Sequence, residues 1–324
     1  MPEVPHKKIS RALISVSDKE GIAGLAKELA KNGVEIIASD GTAALLKDSG
    51  VPVKTVTEVT GSPELLDGKV KTLHPLIHAA LLADQNNPQQ LAELKGVGPI
   101  DLLVINLYPT SGFDIGGPAL TRAAAKNSEH VAVITAPNQY QELIDSLKLG
   151  TSLEQRKDWA ESALLLTAKY DLALLKERSE PLRYGENPHQ DGAIATNNHH
   201  QVLQGKAMSF NNYLDLQAAW ELSRSCERAV AIVKHGIPSG LAQAESSAKA
   251  FKAAWACDPT SSFGGVVVSE MVIDGECAAE IVKGFVEVVA ANEITEEALK
   301  IFSTKPNLRV VKLTESSRDE FAIN

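Results

Sequence analysis

The chain alternates short continuous apolar runs with stretches whose apolar residues recur every three or four positions. Residues 11–16 (Arg-Ala-Leu-Ile-Ser-Val) read as a buried strand, and residues 21–32 carry a helical spacing that Gly33 stops. Residues 34–38, 51–56, 102–105 and 131–134 are further predicted strands, with helical patterns between them. Strands separated by helices imply right-handed crossovers and a parallel sheet covered on both faces. Ligands of such sheets sit beyond the carboxyl ends of the strands, so the polar segments that follow each strand are the ones to search. Residues 151–179 read as one long or broken helix with Trp159, Leu164, Leu165, Ala168 and Leu172 available for burial. The pattern breaks between Pro181 and Pro188, which predicts one domain over residues 1–182 and a second over 183–324. In the second, residues 229–233, 265–268 and 308–311 are predicted strands, 214–226 and 246–256 are predicted helices, and the tail from Thr314 is polar.

A length of 324 residues allows two cores. The 32 Lys and Arg against 41 Asp and Glu, a net charge of -9, argue against nucleic acid as a partner. Cys226, Cys257 and Cys277 are widely spaced and lack a Cys-x-x-Cys pattern, which predicts reduced thiols, no structural metal and a cytoplasmic setting. The N-terminus has no apolar stretch of signal-peptide length, and no segment approaches the roughly 20 apolar residues of a membrane span, so no membrane role is expected.

Chemistry concentrates in the segment from Asp114 to Asn127. Gly116 and Gly117 let the backbone approach a ligand, and Pro118 suits the first position of a helix. Arg122 and Lys126 stand four apart and share one helix face, so a carboxylate and two cations are expected to converge on one small polar substrate. Ser15-Val16-Ser17-Asp18-Lys19 follows the first strand and Ser39-Asp40-Gly41-Thr42 the second. Each reads either as a phosphate loop or as a helix cap, formed in the first case by Ser17 or Asp18, and their place on adjacent strands favours phosphate. Lys69, Lys71 and His74 crowd a segment too punctuated for a plain helix, with a solvated basic turn as the alternative. Asn106-Leu107-Tyr108-Pro109 follows the 102–105 strand, where Tyr108 reads as a site residue or as a packing residue with a satisfied hydroxyl.

Taken together, Ser15-x-Ser17-Asp18-Lys19, Lys71-Thr72-Leu73-His74-Pro75, Asn106-Leu107-Tyr108-Pro109, Asp114-Ile115-Gly116-Gly117-Pro118 and Ala123-Ala124-Ala125-Lys126-Asn127 resemble the cyclohydrolase part of the AICAR transformylase/IMP cyclohydrolase family of purine biosynthesis. Arg183-Tyr184-Gly185-Glu186-Asn187-Pro188-His189-Gln190, Ser209-Phe210-Asn211-Asn212, Lys234-His235-Gly236-Ile237-Pro238-Ser239-Gly240 and Asp258-Pro259-Thr260-Ser261-Ser262-Phe263-Gly264-Gly265 resemble the start of its transformylase part. The resemblance implies an α/β chain, with a methylglyoxal-synthase-like parallel-sheet sandwich followed by one cytidine-deaminase-like half of a transformylase domain. It also implies AICAR, formyl-AICAR and IMP as ligands, and a homodimer.

For ring closure, the resemblance implies Lys71, Tyr108, Asp114 and Lys126 as catalytic residues. It implies Ser15, Lys19, Ser39, Gly41, Thr42, Lys69, Thr72, Asn106, Gly116 and Gly117 as substrate contacts, with no cofactor. For formyl transfer, it implies His235 as base, Lys234 as stabiliser of the developing oxyanion or support for proton transfer, and Arg183, Tyr184 and His189 as nucleotide contacts. 10-Formyltetrahydrofolate would be the cosubstrate once the transformylase is completed. Family members continue through a second deaminase-like half, so a C-terminally shortened member is expected, with a separate chain as a partner for formyl transfer. Only Thr110-Ser111-Gly112-Phe113 separate Tyr108-Pro109 from Asp114, where the family carries a longer helical insertion. Asp40 adds an acid to the phosphate loop, and Lys69 replaces the family's arginine. A noncatalytic nucleotide-binding or assembly subunit of a split transformylase is the alternative. A phospho-sugar lyase of the methylglyoxal-synthase type would leave the second-half motifs unexplained.

Overall fold

The computed structural model describes residues 6–66, 70–182, 184–194 and 200–314. Two compact units divide the chain, Met1–Leu174 and Leu175–Asn324.

The first unit runs β1 (Arg11–Ser15), α1 (Ile22–Lys31), β2 (Glu35–Ala38), α2 (Asp40–Asp48), β3 (Lys54–Thr55), α3 (Val56–Thr60), α4 (Pro75–Leu82), α5 (Pro88–Glu93), β4 (Leu102–Ile105), α6 (Gly116–Lys126), β5 (Ala132–Ile134), α7 (Tyr140–Ser146) and α8 (Leu153–Glu177). Its strands form a parallel sheet in the order β3-β2-β1-β4-β5. In central β1, Ala12 and Ile14 face one core with α1 and α7, while Leu13 faces the other with α4, α6 and α8. This alternation covers the sheet on both faces, and each fully buried Leu or Ile contributes about 1.5–3 kcal/mol.

Two sequence expectations need correction. The 51–56 strand shrinks to β3, because Pro52 cannot donate to a ladder and Thr55 opens α3 through a capping box with Glu58. In α8, Trp159 is buried as expected, but Leu164, Leu165, Ala168 and Leu172 are exposed. Its inward face is instead Arg156, Ala160, Ala163, Thr167, Tyr170 and Leu174.

The second unit runs β6 (Glu180–Leu182), β7 (Gly192–Ile194), β8 (His200–Gln204), α9 (Phe210–Arg224), β9 (Ala229–Lys234), β10 (Ile237–Gln243), α10 (Ser247–Cys257), α11 (Pro259–Ser262), β11 (Val266–Ser269), α12 (Gly275–Ile281), β12 (Val288–Ala291), α13 (Glu296–Phe302) and β13 (Arg309–Leu313). A mixed sheet has the order β10-β9-β11-β12-β13-β8, and β6 and β7 make a separate antiparallel pair. Fully buried valines and alanines fill β9, β11 and β12, with α10, α12 and α13 on one face and α9 on the other. Among the described residues, no helix is long and apolar enough to cross a membrane.

Candidate active site

Two strand ends and one helix start build the first candidate site. Ser15 ends β1, Asn106 follows β4, and Gly116 opens α6. A cleft of about 370 Å³ is lined by Ser15, Val16, Ser17, Lys71, Thr72, Ile105, Asn106, Tyr108, Gly112, Phe113, Asp114, Ile115, Gly116 and Gly117. It lies at the carboxyl edge of the parallel sheet, as the topology requires.

The loops of this cleft hold one another through side chain to main chain bonds. Asn106 Oδ1 accepts from the amides of Ser17 and Asp18 at 2.5 and 2.9 Å, and its Nδ2 donates to Asp18 O at 2.9 Å. Ser17 and Asp18 therefore do not cap α1, whose N-cap Gly21 has no side-chain bond. Asp114 Oδ2 accepts from the Tyr108 amide at 3.1 Å and Oδ1 from the Gly117 amide at 2.7 Å. The helix thus starts two residues before Pro118, which still costs no bond, because the first turn has no partner for its amides. A β-carbon on Gly117 would lie 2.8 Å from Leu107 Cδ2 and crowd the Asp114 carboxylate, so one of these side chains would have to shift. One on Gly116 would lie 3.0 Å from Thr72 Oγ1. Tyr108 is 49% exposed at the cleft rim rather than packed.

The phosphate-loop residues form a connected cluster. Ser39 Oγ lies 3.3 Å from both Ser15 Oγ and Thr42 Oγ1, and Lys19 Nζ donates to Thr42 Oγ1 at 2.8 Å and to Val16 O. Burial, helped by the neighbouring charge of Lys71, pushes the Lys19 ammonium below the ordinary lysine range. Gly41 is exposed in the first turn of α2. The Asp40 carboxyl neighbours Glu64 and, chiefly through hydrogen bonding and then with burial, raises the Glu64 carboxyl above its ordinary value. Lys71 stands 3.8 Å from Glu64 and pulls the other way. Lys69 lies outside the described residues.

The expected convergence of Arg122 and Lys126 on Asp114 does not occur. Arg122 pairs with Asp171 of α8, and Lys126 is exposed in the last turn of α6, about 15 Å along the axis from Gly116. Asn127 clamps the end of α4 instead, donating to Leu81 O and Ala83 O at 2.8 and 3.0 Å.

In the second unit, Lys234 and Ile237 pair across a two-residue turn in which His235 has φ +55° and Gly236 φ +71°. Positive φ at both positions defines a type I′ hairpin, so the Lys-His-Gly motif is a hairpin tip with His235 exposed. Asp215 of α9 holds this tip, and Asn211, one turn earlier, donates to Glu186 O at 3.3 Å in the loop between β6 and β7. One face of α9 therefore tethers both motifs, a link invisible in their spacing. Tyr184 is half-buried and His189 exposed in that loop, and Arg183 lies outside the described residues.

Lys234 Nζ donates to Phe263 O at 2.6 Å. Phe263 lines a cavity of about 640 Å³ that also contains Lys206, Lys283, Phe285, Glu287, Lys305, Asn307 and Arg309. Lys283 pairs with Glu280 at 2.7 Å and Arg309 with Glu287 at 3.7 Å, so the basic lining is partly neutralised by these carboxylates. Sequence reasoning missed these residues, because the cations are scattered from position 206 to 309. Glu287 is held by Asn212 at 3.0 Å, which gives the second asparagine of the Ser-Phe-Asn-Asn motif its partner.

Comparison with known proteins places this geometry in context. The AICARFT/IMPCHase bienzyme family matches residues 124–323, and the MGS-like domain family matches residues 21–135. The bifunctional purine biosynthesis protein PurH of Jannaschia sp. is 42% identical over 357 residues, covering 94% of this chain and 66% of that protein. PurH of Chelativorans sp. is 42% identical over 361 residues, covering 96% of this chain and 67% of that protein. The crystal structure of ForH is 34% identical, with a TM-score of 0.47 over 52% of this chain and 97% of that one. The chain spans about two thirds of the length of the curated relatives it matches.

Proposed function

Because this chain belongs to the AICARFT/IMPCHase bienzyme family, we propose that its first unit closes the second ring of a purine, converting formyl-AICAR to IMP with loss of water. The observation that carries this reading is the gathering of Lys71, Tyr108 and Asp114 in one cleft at the start of α6. In this reaction the carboxamide nitrogen attacks the formyl carbon, the carboxamide nitrogen and the formamide nitrogen each give up one proton, and the former formyl oxygen takes up two protons and leaves as water. Asp114 receives the amide proton. Its oxygens each accept one main-chain amide and each keep a lone pair for substrate. Lys71 stabilises and protonates the departing oxygen, Tyr108 donates a hydrogen bond near the same carbon, and the positive end of α6 adds to Lys71.

Thr72, Asn106, Gly116 and Gly117 shape the cleft around the base and carboxamide. Ser15, Lys19, Ser39, Gly41, Thr42 and Lys69 serve the phosphate. No cofactor enters this reaction. Lys126 is outside the cleft, so the reading rests on the other three residues.

The second unit is proposed to bind AICAR through its basic cavity, with Lys234 and His235 serving formyl transfer from 10-formyltetrahydrofolate when the remaining length seen in the relatives is supplied. Arg183, Tyr184 and His189 would contact the nucleotide.

The test is to mix purified protein with formyl-AICAR and follow IMP, then repeat with AICAR and 10-formyltetrahydrofolate. IMP from formyl-AICAR is expected, and Lys71→Ala should slow its formation about 100-fold, the scale of losing one oxyanion donor. No IMP from the wild-type protein, or full turnover by Lys71→Ala, would overturn the reading.

A further inference from the structure

Asp114 is gripped from a second direction, by a residue that the proposed chemistry does not use. Its main-chain amide donates to the Tyr170 hydroxyl at 2.8 Å. Tyr170 belongs to the inward face of α8 and is 8% exposed, so its phenol is delivered through the core rather than from solvent. At the far end of α6, Arg156 of the same helix donates to Ser128 O at 3.0 Å and Glu129 O at 2.9 Å. Arg156 is 4% exposed. Asp114 and Ser128 are 14 residues apart, as are Arg156 and Tyr170, so α8 runs antiparallel to α6 and holds it at both ends. The bridge from Pro109 to Asp114 is a single 3₁₀ turn that ends at Phe113 with φ +42°. Such a short, left-handed connection supplies little packing of its own, and the buried phenol fixes where it ends.

We infer that Tyr170 is a positioning residue for ring closure: its hydroxyl sets the main chain of Asp114, and through it the direction of the carboxylate at the start of α6. The inference rests on the function proposed above. A phenol bound to the amide leaves both carboxylate oxygens to Tyr108, Gly117 and substrate, so its role is orientation, not proton transfer. Orientation errors of about 1 Å at a reacting group cost roughly 100-fold in rate.

The experiment compares wild type, Tyr170→Phe, Asp114→Asn and the double variant in formyl-AICAR turnover, with thermal unfolding of each. Tyr170→Phe keeps the ring in the core and loses only the hydroxyl. It should lower kcat about 10- to 100-fold with KM within about twofold. In the Asp114→Asn background the same change should cost less than about twofold, because a residue acting through Asp114 has nothing left to orient. An active wild type with an unimpaired Tyr170→Phe variant sinks this role alone, as does full additivity in the double variant. Absence of IMP formation by the wild type removes both the function and this role.

Discussion

Asp215 and His235 are joined at the tip of the β9–β10 hairpin: the Asp215 carboxylate, 7% exposed, accepts the His235 amide at 3.1 Å and the Gly236 amide at 2.6 Å. A buried acid thereby stabilises a histidine in the left-handed region, a conformation that non-glycine residues rarely adopt. Asp215→Ala should lower stability by about 2 kcal/mol, the scale of losing hydrogen bonds to a charged acceptor. Asp215→Asn, which keeps one acceptor oxygen, should lose less. Urea unfolding midpoints measure both, and an unchanged midpoint for Asp215→Ala would show that water replaces the carboxylate.

Asn106 stitches β4 to the Ser17–Asp18 loop with three bonds. Asn106→Ala should free that loop and weaken IMP binding about tenfold, equivalent to one lost hydrogen bond of roughly 1.4 kcal/mol. Calorimetric titration with IMP gives the answer directly. Equal affinity in the variant would mean that the loop holds its shape without the amide.

Gly117→Ala sets two effects against each other. In an exposed helix interior, alanine would gain roughly 0.5–1 kcal/mol over glycine. Here the new methyl would meet Leu107 Cδ2 at 2.8 Å and crowd the Asp114 carboxylate, so the steric effect wins. The variant should fold, melt no higher than wild type, and turn over formyl-AICAR about 100-fold more slowly. A higher melting temperature with full activity would refute the tight-contact argument.

The Asp40–Glu64 pair predicts a pH dependence of stability. Glu64 is raised above its ordinary value of 4.5, chiefly by its hydrogen bond with Asp40 and then by burial, with Lys71 opposing. The folded state therefore binds this proton more tightly than the unfolded state. The resulting stabilisation is present below pH 4.5 and is lost as pH rises through the raised value. Glu64→Gln keeps a neutral partner for Asp40, so wild type should lose stability relative to the variant across that acid window. Parallel unfolding midpoints from acid to neutral pH would contradict the shared proton.

Much of the first unit was legible because its strands are continuous apolar runs. β1, β2, β4 and β5 fall within a residue or so of the predicted positions, and the segments after β1 and β4 contribute to the cleft, as a parallel sheet demands. Helix orientation was not legible. The buried face of α8 repeats at 156, 160, 163, 167, 170 and 174, but it includes arginine, threonine and tyrosine, while Leu164, Leu165 and Leu172 are exposed. A hydrophobicity pattern alone therefore turns this helix the wrong way. Arg122 was misread for a related reason, since its partner Asp171 lies 49 positions away. The hairpin at His235–Gly236 also escaped notice, because histidine is an uncommon choice for the first central position of a type I′ turn.

The two grips of α8 on α6 make chain length itself a constrained quantity. An α-helix advances about 1.5 Å and turns about 100° with each residue. One residue inserted between Arg156 and Tyr170 would swing the phenol from the core toward solvent while the guanidinium stayed in place. The two helices thus behave as paired rulers: point substitutions are tolerated along their exposed faces, and single insertions or deletions are not.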